Sequence, residues 1–408
     1  MPQPLSQPPI GRVEFIALIA MISATVAFSI DAMLPALPQI KAELTADAPE
    51  RATLVITSFV FGMGVGTLFA GPLSDAVGRR PVIFSGFALY CVGSLLAIQA
   101  QTLELLLAAR VIQGIGVAGP RIGALAMVRD LYAGREMAQL MSFVLLVFSL
   151  VPAIAPALGA VIIWSIGWRG IFGAFVVFSL VMGGWYAWRM TETLPPTARR
   201  PIRMSLLWAA LIEMLSIPMV RLSMLTQALC FGMLFAVLST THQMFDLTFD
   251  MARSFPAWFA LIAVLAATAS LVNARLVLRL GMRKLISTIL LVQIVISGGA
   301  LTAFGTLDTG LALFGVFLFW ITSLFFMAGM TLGNLNALAM EPVGHIAGLA
   351  ASLMSSVATI GAVFVAVPIG LAFTGSPTPV AVGTLVCAIL AFALTLRMRS
   401  LERVVSAA

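Results

Sequence analysis

The stretch GPLSDAVGRRP, residues 71–81, crowds Asp75, Arg79 and Arg80 between two long apolar runs. Elsewhere charge is scarce: of 408 residues, 61% are hydrophobic and 10% charged, and the mean hydropathy is +1.08. A soluble protein carries about 25% charged residues. A chain this apolar can keep its surface out of water only inside a bilayer. In that setting the stretch is a loop between two membrane spans. Gly78 permits a tight turn, and the paired arginines hold the loop on one side of the membrane.

Outward from the loop the pattern repeats. A bilayer core about 30 Å thick takes about 20 apolar residues per helix. Twelve runs of that order lie near 13–37, 53–72, 82–100, 104–128, 138–164, 170–190, 222–245, 254–278, 285–305, 311–338, 348–373 and 379–396. An even number returns both termini to one side, and the positive-inside rule selects the cytoplasm. That choice puts 17 Lys and Arg inside and leaves Lys41, Arg51, Arg169 and Arg253 outside, with Arg110 and Arg121 within a span. The net charge of +7 is therefore a topology signal scattered in ones and twos, not a nucleic-acid surface. Cys91, Cys230 and Cys387 all fall in apolar runs, which speaks against a disulfide framework or a metal cluster. The N-terminus has one Arg, a long apolar run and no small-residue cleavage site, and reads as a retained first span.

The polar, Pro-rich stretch TETLPPTARRPIR (191–203) divides six spans from six. The expected units are 1–190, a cytoplasmic linker at 191–221, and 222–408. Within the linker, MSLLWAALIEMLSIPMV (204–220) is short and carries Glu213 and Pro218. As a thirteenth span it would move Arg275, Arg279, Arg283 and Lys284 outside, so an interfacial amphipathic helix is the better reading. The second half also echoes the opening loop. RLGMRK (279–284) matches AVGRRP (76–81), keeping the Gly and the second basic residue while Asp75 becomes Leu278. Transporters are often built from such repeats.

Gly71, Leu73, Asp75, Gly78, Arg79 and Arg80 resemble the loop 2–3 signature of the major facilitator superfamily. RVIQG (110–114) resembles the fourth-span signature of its twelve-span drug:proton antiporters. PAIAPALGA (152–160) and GWRGIF (167–172) resemble the fifth-span antiporter motif and following loop of the bicyclomycin- and chloramphenicol-resistance (Bcr/CflA) branch. SIDAMLPALPQI (29–40) and NALAM with GHIAGLAASL (336–353) match that branch as well. The fifth-span motif departs by ending in Gly-Ala, and Arg121 stands where the branch usually has a small residue. Both departures leave the substrate class open. The resemblance implies an all-α membrane fold of two pseudo-symmetric six-helix bundles in a bacterial inner membrane, monomeric and without cofactor. It also implies a cavity lined by spans 1, 4, 7 and 10. Asp75, Arg79, Arg80 and Asp130 would form a cytoplasmic gate, with Asp75 near the start of span 11. The resemblance-free alternative for the Gly-Arg-Arg loop is a tight turn with topology charges.

An ionisable residue within a span is costly and by default functional. Asp31, in the outer part of span 1, could load a proton from outside and release it inside, or snorkel to the interface with help from Pro35 and Pro38. Arg110 and Arg121 are eleven positions apart, about 1,100° along a helix, so both project from one face of span 4. Gln113 is a neighbour of Arg110 on that side. Two Arg against one Asp favour a neutral or anionic substrate over a cation, unless Arg121 instead joins the inner charge cluster. Pro152 and Pro156 stack on one face of span 5 and each removes a helix hydrogen bond; with Gly159 they form a bent, close-packing segment, either static or part of gating. Gln227, His242, Asn334 and Asn336 are candidate cavity polars of the second half, each of which could instead bond only to a neighbouring helix. Gly62, Gly64 and Gly66 read as close helix packing.

Catalysis is not expected: His242 and His345 are the only histidines, and no nucleophile–base set, metal spacing or nucleotide loop appears. The leading expectation is proton-coupled efflux of small drug-like or metabolite molecules by alternating access. The alternative is a proton symporter importing a small anionic nutrient or iron chelate, and a third reading is a membrane binding protein without transport. The partners expected are a small-molecule substrate, protons and lipid.

Overall fold

The computed structural model describes residues 10–201 and 204–407, and every regular element among them is helical. The chain is a multi-pass membrane protein of two compact units. The first holds the chain through Leu44 and then Ser58–Met204; the second holds Thr45–Thr57 and the chain from Ser205 onward.

In the first unit α1 (Arg12–Asp31) is followed by a 3-10 turn (Leu34–Ala36) and the short α2 (Leu37–Leu44). Then come α3 (Leu54–Val77), which belongs to this unit from Ser58 onward, α4 (Arg79–Ile98), α5 (Leu103–Leu131), α6 (Gly134–Ile166) and α7 (Arg169–Arg189). In the second, α8 (Met204–Ser216) precedes α9 (Pro218–Leu247), α10 (Phe255–Leu280), α11 (Met282–Thr306), α12 (Leu311–Met340), α13 (Ala347–Leu371) and α14 (Thr378–Ala407). Eleven of the described helical stretches are long and apolar enough to cross a membrane; α6 is a continuous helix of 33 residues, apolar through Leu150–Ile166. The 13 residues of α8 rise only about 20 Å, short of a bilayer core.

Two boundaries differ from the sequence expectation. The first span does not run unbroken to residue 37. Pro35 has no N–H to give the Asp31 carbonyl and Pro38 none for Leu34, so the α-helix ends at Asp31 and tightens into the 3-10 turn. The seventh span does not start at 222. Pro218 opens α9 rather than interrupting the preceding helix, because a proline at the first turn sacrifices only an N–H that has no helical partner.

The same helix pairs make the main packing in each unit: α4 with α5, α1 with α6 and α4 with α7 in the first, matched by α11 with α12, α9 with α13 and α11 with α14 in the second. This is a repeat seen in packing rather than in sequence. The first core gathers Phe15, Ile22, Phe87, Met127, Met182 and Tyr186. The second is rich in rings, with Phe245 in edge contact with Phe255, Phe314 and Phe317. Outside these cores the helices expose large apolar side chains such as Leu158, Val161, Phe319 and Phe364, a surface suited to lipid and not to water.

Helix α5 sits unusually close to both neighbours. A Cβ on Gly62 of α3 would lie 2.1 Å from the Val111 carbonyl oxygen, and one on Gly116 would lie 2.5 Å from the Tyr90 nitrogen of α4. Backbone therefore meets backbone on two sides of α5, as small residues allow between membrane helices.

Candidate functional site

Asp31 is the last residue of α1 and only 5% exposed. Among the described residues its carboxyl makes no ion pair and receives no hydrogen bond. Two residues earlier, the Ser29 carbonyl accepts a bond of 3.1 Å from the Arg110 guanidinium of α5, and the Ser29 hydroxyl shares a bond of 2.5 Å with the Tyr90 hydroxyl of α4. Arg110 is fully buried. It donates to Gln113 Oε1 at 3.0 Å and lies over the Phe59 ring at 4.4 Å, a cation–π contact strengthened by the absence of water. Gln113 in turn donates to the Ser94 hydroxyl at 2.6 Å. Three helices thus hold one buried cation beside the end of α1. A buried charge survives when its donors are satisfied, and such networks rigidify what they join.

Arg121 lies on the same side of α5 as Arg110 but outside this network. Its guanidinium approaches Met63 Sδ at 3.9 Å, and among the described residues no carboxylate pairs with it. It is not part of the charge cluster around Asp75.

That cluster is built where α3 gives way to α4. Gly78 takes φ of +111°, a conformation that L side chains rarely adopt, and turns the chain between the two helices. Arg79 then bonds Asp75 on α3 and, through two nitrogens at 2.9 and 3.2 Å, Asp130 at the end of α5. The paired geometry is the strong form of this contact. Glu192, beyond the end of α7, closes the group. One of its oxygens accepts the Arg79 amide at 2.9 Å and the other the Arg80 amide at 3.0 Å. A carboxylate here satisfies orphan N–H groups at the positive end of α4. Thr193 donates to Asp130 at 3.0 Å, while the Arg80 side chain reaches the Ala187 carbonyl.

Pro152 and Pro156 lie inside α6, which packs along α1. Gly159 presses on the end of that helix: a Cβ there would stand 2.2 Å from the Ala32 carbonyl oxygen, one residue beyond Asp31.

The sequence profile described as Major Facilitator Superfamily matches residues 17–366. The chain belongs to that superfamily. Among curated relatives, a bicyclomycin resistance protein homolog of Haemophilus influenzae is 28% identical over 349 residues, covering 84% of this chain and 85% of the relative. A chloramphenicol resistance protein of Pseudomonas aeruginosa is 34% identical over 175 residues, or 43% of this chain and 41% of the relative. Among solved structures, a D-xylose–proton symporter has a TM-score of 0.72 at 14% identity, covering 93% of this chain and 97% of that one. A peptide transporter crystallised with sulfate has a TM-score of 0.73 at 14% identity, covering 98% and 96%. At that identity the structures speak for the fold alone.

In this major facilitator transporter the second-unit candidates are spread out. Gln227 and His242 are buried on α9; among the described residues Gln227 Oε1 and His242 Nδ1 have no hydrogen-bond partner, and the His242 ring lies 4.7 Å from that of Phe255. Asn334 donates to Asn273 of α10 at 2.7 Å and to the Met330 carbonyl, so it ties two helices. Asn336 is exposed. The echo of the charged loop is visible in the backbone, where Gly281 takes φ of +75° between α10 and α11, and Arg283 approaches Glu341 at 3.7 Å. Sequence reasoning missed Glu192, Thr193, Ser29, Tyr90 and Ser94. Only Glu192 left a trace, as an acid in a linker otherwise rich in Arg and Pro.

Proposed function

We propose that this transporter is a proton-coupled exporter: an antiporter of small drug-like or metabolite molecules across the bacterial inner membrane, working as a monomer by alternating access with both termini in the cytoplasm. The observation that carries the reading is Asp31. A carboxyl buried within a span, without a counter-charge of its own, is costly to keep, and its cost is repaid if the group binds and releases protons as the protein cycles. Arg110 of α5, bonded to the Ser29 carbonyl two residues before Asp31, stands close by and is able to favour release when the two approach. The cluster of Asp75, Arg79 and Asp130, capped by Glu192, is the corresponding gate at the cytoplasmic end. The names of the relatives support export of antibiotic-like compounds.

A second reading, import of a small anion by symport, is favoured by one observation: among the described residues no carboxylate pairs with Arg121. The test separates the two. Everted vesicles holding an imposed pH gradient receive a panel of neutral, anionic and cationic compounds, starting with bicyclomycin and chloramphenicol. Antiport predicts partial collapse of the gradient on adding a neutral or anionic compound, and loss of that response in Asp31→Asn. A preference for cations would remove the role given to Arg121. Proton movement in the opposite sense would favour the importer, and a normal response in Asp31→Asn would end the proton-carrier reading.

A further inference from the structure

The turn between α6 and α7 carries Gly-Trp-Arg, residues 167–169, which neither the proton site nor the gate uses. Gly167 takes φ of +75° and sets the two following side chains over α2. There Glu43 accepts three donors: the Trp168 indole N–H at 2.8 Å and two Arg169 nitrogens at 2.7 and 3.0 Å. Arg169 also lies over the Trp168 ring at 4.2 Å and donates to the Ala100 carbonyl at 2.8 Å, in the turn between α4 and α5. The Trp168 amide donates to Gln39 at 3.2 Å. Trp168 itself is buried, at 4% exposure.

An exposed ion pair on a surface contributes little. This one differs because a buried indole shares its acceptor and the guanidinium has an aromatic face behind it. It is also placed with consequence. Helix α2 is eight residues long, joined to Asp31 only through the proline-broken turn, and cannot hold that turn by its own length. Besides the packing of its buried Leu37 and Ile40, two sets of contacts hold it: Glu43 and Gln39 to the Trp168–Arg169 pair, and Gly159 of α6 against Ala32 at the start of the turn. The first comes from the α6–α7 corner and the second from within α6, the helix with the paired prolines.

We propose that Glu43, Trp168 and Arg169 form a clasp that positions Asp31, so that movement of α6 is passed through α2 to the broken end of α1. These three are positioning residues, since none touches the Asp31 carboxyl. The groups that face this end of α1 from α4 and α5 are Tyr90 and Arg110, both bound to Ser29; over Leu150–Ile166, α6 brings no charge. The clasp therefore supplies a hold on the far side of the break that the Ser29 network does not. That Asp31 carries protons is the reading given above; its placement by the clasp is tested independently of it.

The test is the rate at which a small methanethiosulfonate reagent labels a cysteine at position 31, in the full chain with Cys91, Cys230 and Cys387 changed to Ala. Arg169→Ala and Trp168→Phe are each expected to change the rate by about threefold or more, as the broken turn opens more often. Arg169→Lys, which keeps a charge for Glu43, is expected to restore most of the original rate. A cysteine at exposed position 308, in the loop between α11 and α12 of the second unit, serves as control and keeps its rate throughout. A change of less than about threefold at position 31 in either variant overturns the clasp, as does an equal change at position 308, which would report general loosening. If the cysteine-free chain fails to fold, amide exchange over residues 32–37 of the native chain answers the same question: faster exchange in Arg169→Ala supports the clasp and an unchanged rate overturns it. Normal transport by Asp31→Asn would end the proton-carrier reading while leaving the labelling result in place.

Discussion

Gly78 and Glu192 explain each other. A Cβ at Gly78 would lie 2.5 Å from Glu192 Oε2, so the glycine of the Gly-Arg-Arg loop both supplies the turn and makes room for the carboxylate that caps the next helix. Glu192→Ala leaves two amides at the start of α4 without acceptors, and is expected to cost about 1–2 kcal/mol in stability and to loosen Arg79. Glu192→Gln, which keeps an acceptor but loses the charge, is expected to cost less. Thermal unfolding in detergent orders the two, and equal values for both would refute the capping role. The sequence reveals such relations unevenly. The partnership of Arg110 and Gln113 was readable from helix spacing, because residues three apart face the same way. The family motif implied that Asp75, Arg79 and Asp130 cluster with Asp75 as the anchor; the structure makes Arg79 the shared partner of both carboxylates. Ser29, Tyr90 and Ser94 were not readable: a hydroxyl in a membrane helix commonly bonds back to its own turn, as Ser29 also does to the Thr25 carbonyl, and nothing in the spacing distinguishes one that also bonds across.

The helices themselves were largely legible as apolar runs, since length and hydropathy are sufficient to mark a span. The break in the first was not. Residues 32–37, AMLPAL, are as apolar as those before them, so hydropathy passes over the site where the backbone stops being α-helical. Pro35 and Pro38 were visible in the sequence, but prolines in membrane helices often only kink them, and what breaks α1 is the loss of two successive turns of bonding. Pro35→Ala restores the missing donor to the Asp31 carbonyl. It is expected to slow amide exchange over residues 32–37 by about fivefold, the factor that about 1 kcal/mol of hydrogen bonding represents. Transport is expected to fall in the same variant although the protein remains folded, because the residue at the break is no longer at a helix end. Full transport with slowed exchange would mean that the break has no part in the cycle.

The two six-helix units were expected from the linker and a six-residue echo, and the echo alone was thin. Matched packing of α4 with α5 and of α11 with α12 is a firmer sign of the repeat, and sequence could not supply it because the two halves preserve contacts and not residues. The side of the membrane proposed for each loop rests on its positive charge. A cysteine at Ala46, in the cysteine-free chain, is therefore expected to react with an impermeant maleimide in intact cells, whereas one at Ala198 is expected to react only after the cells are opened. The reverse pattern would invert the orientation. Tryptophans 164, 188 and 208 are 89%, 82% and 64% exposed, as suits rings that sit at the water–lipid boundary. Helix α5 carries a consequence of another kind. With backbone against backbone on both flanks, it has almost no room in which to accumulate substitutions. As the sequence drifts through its lineage, the glycine faces of α5 will be the slowest to change, and any innovation on this helix is confined to the strip away from them. A descendant with a new substrate will have found it by altering that strip or by leaving α5 alone.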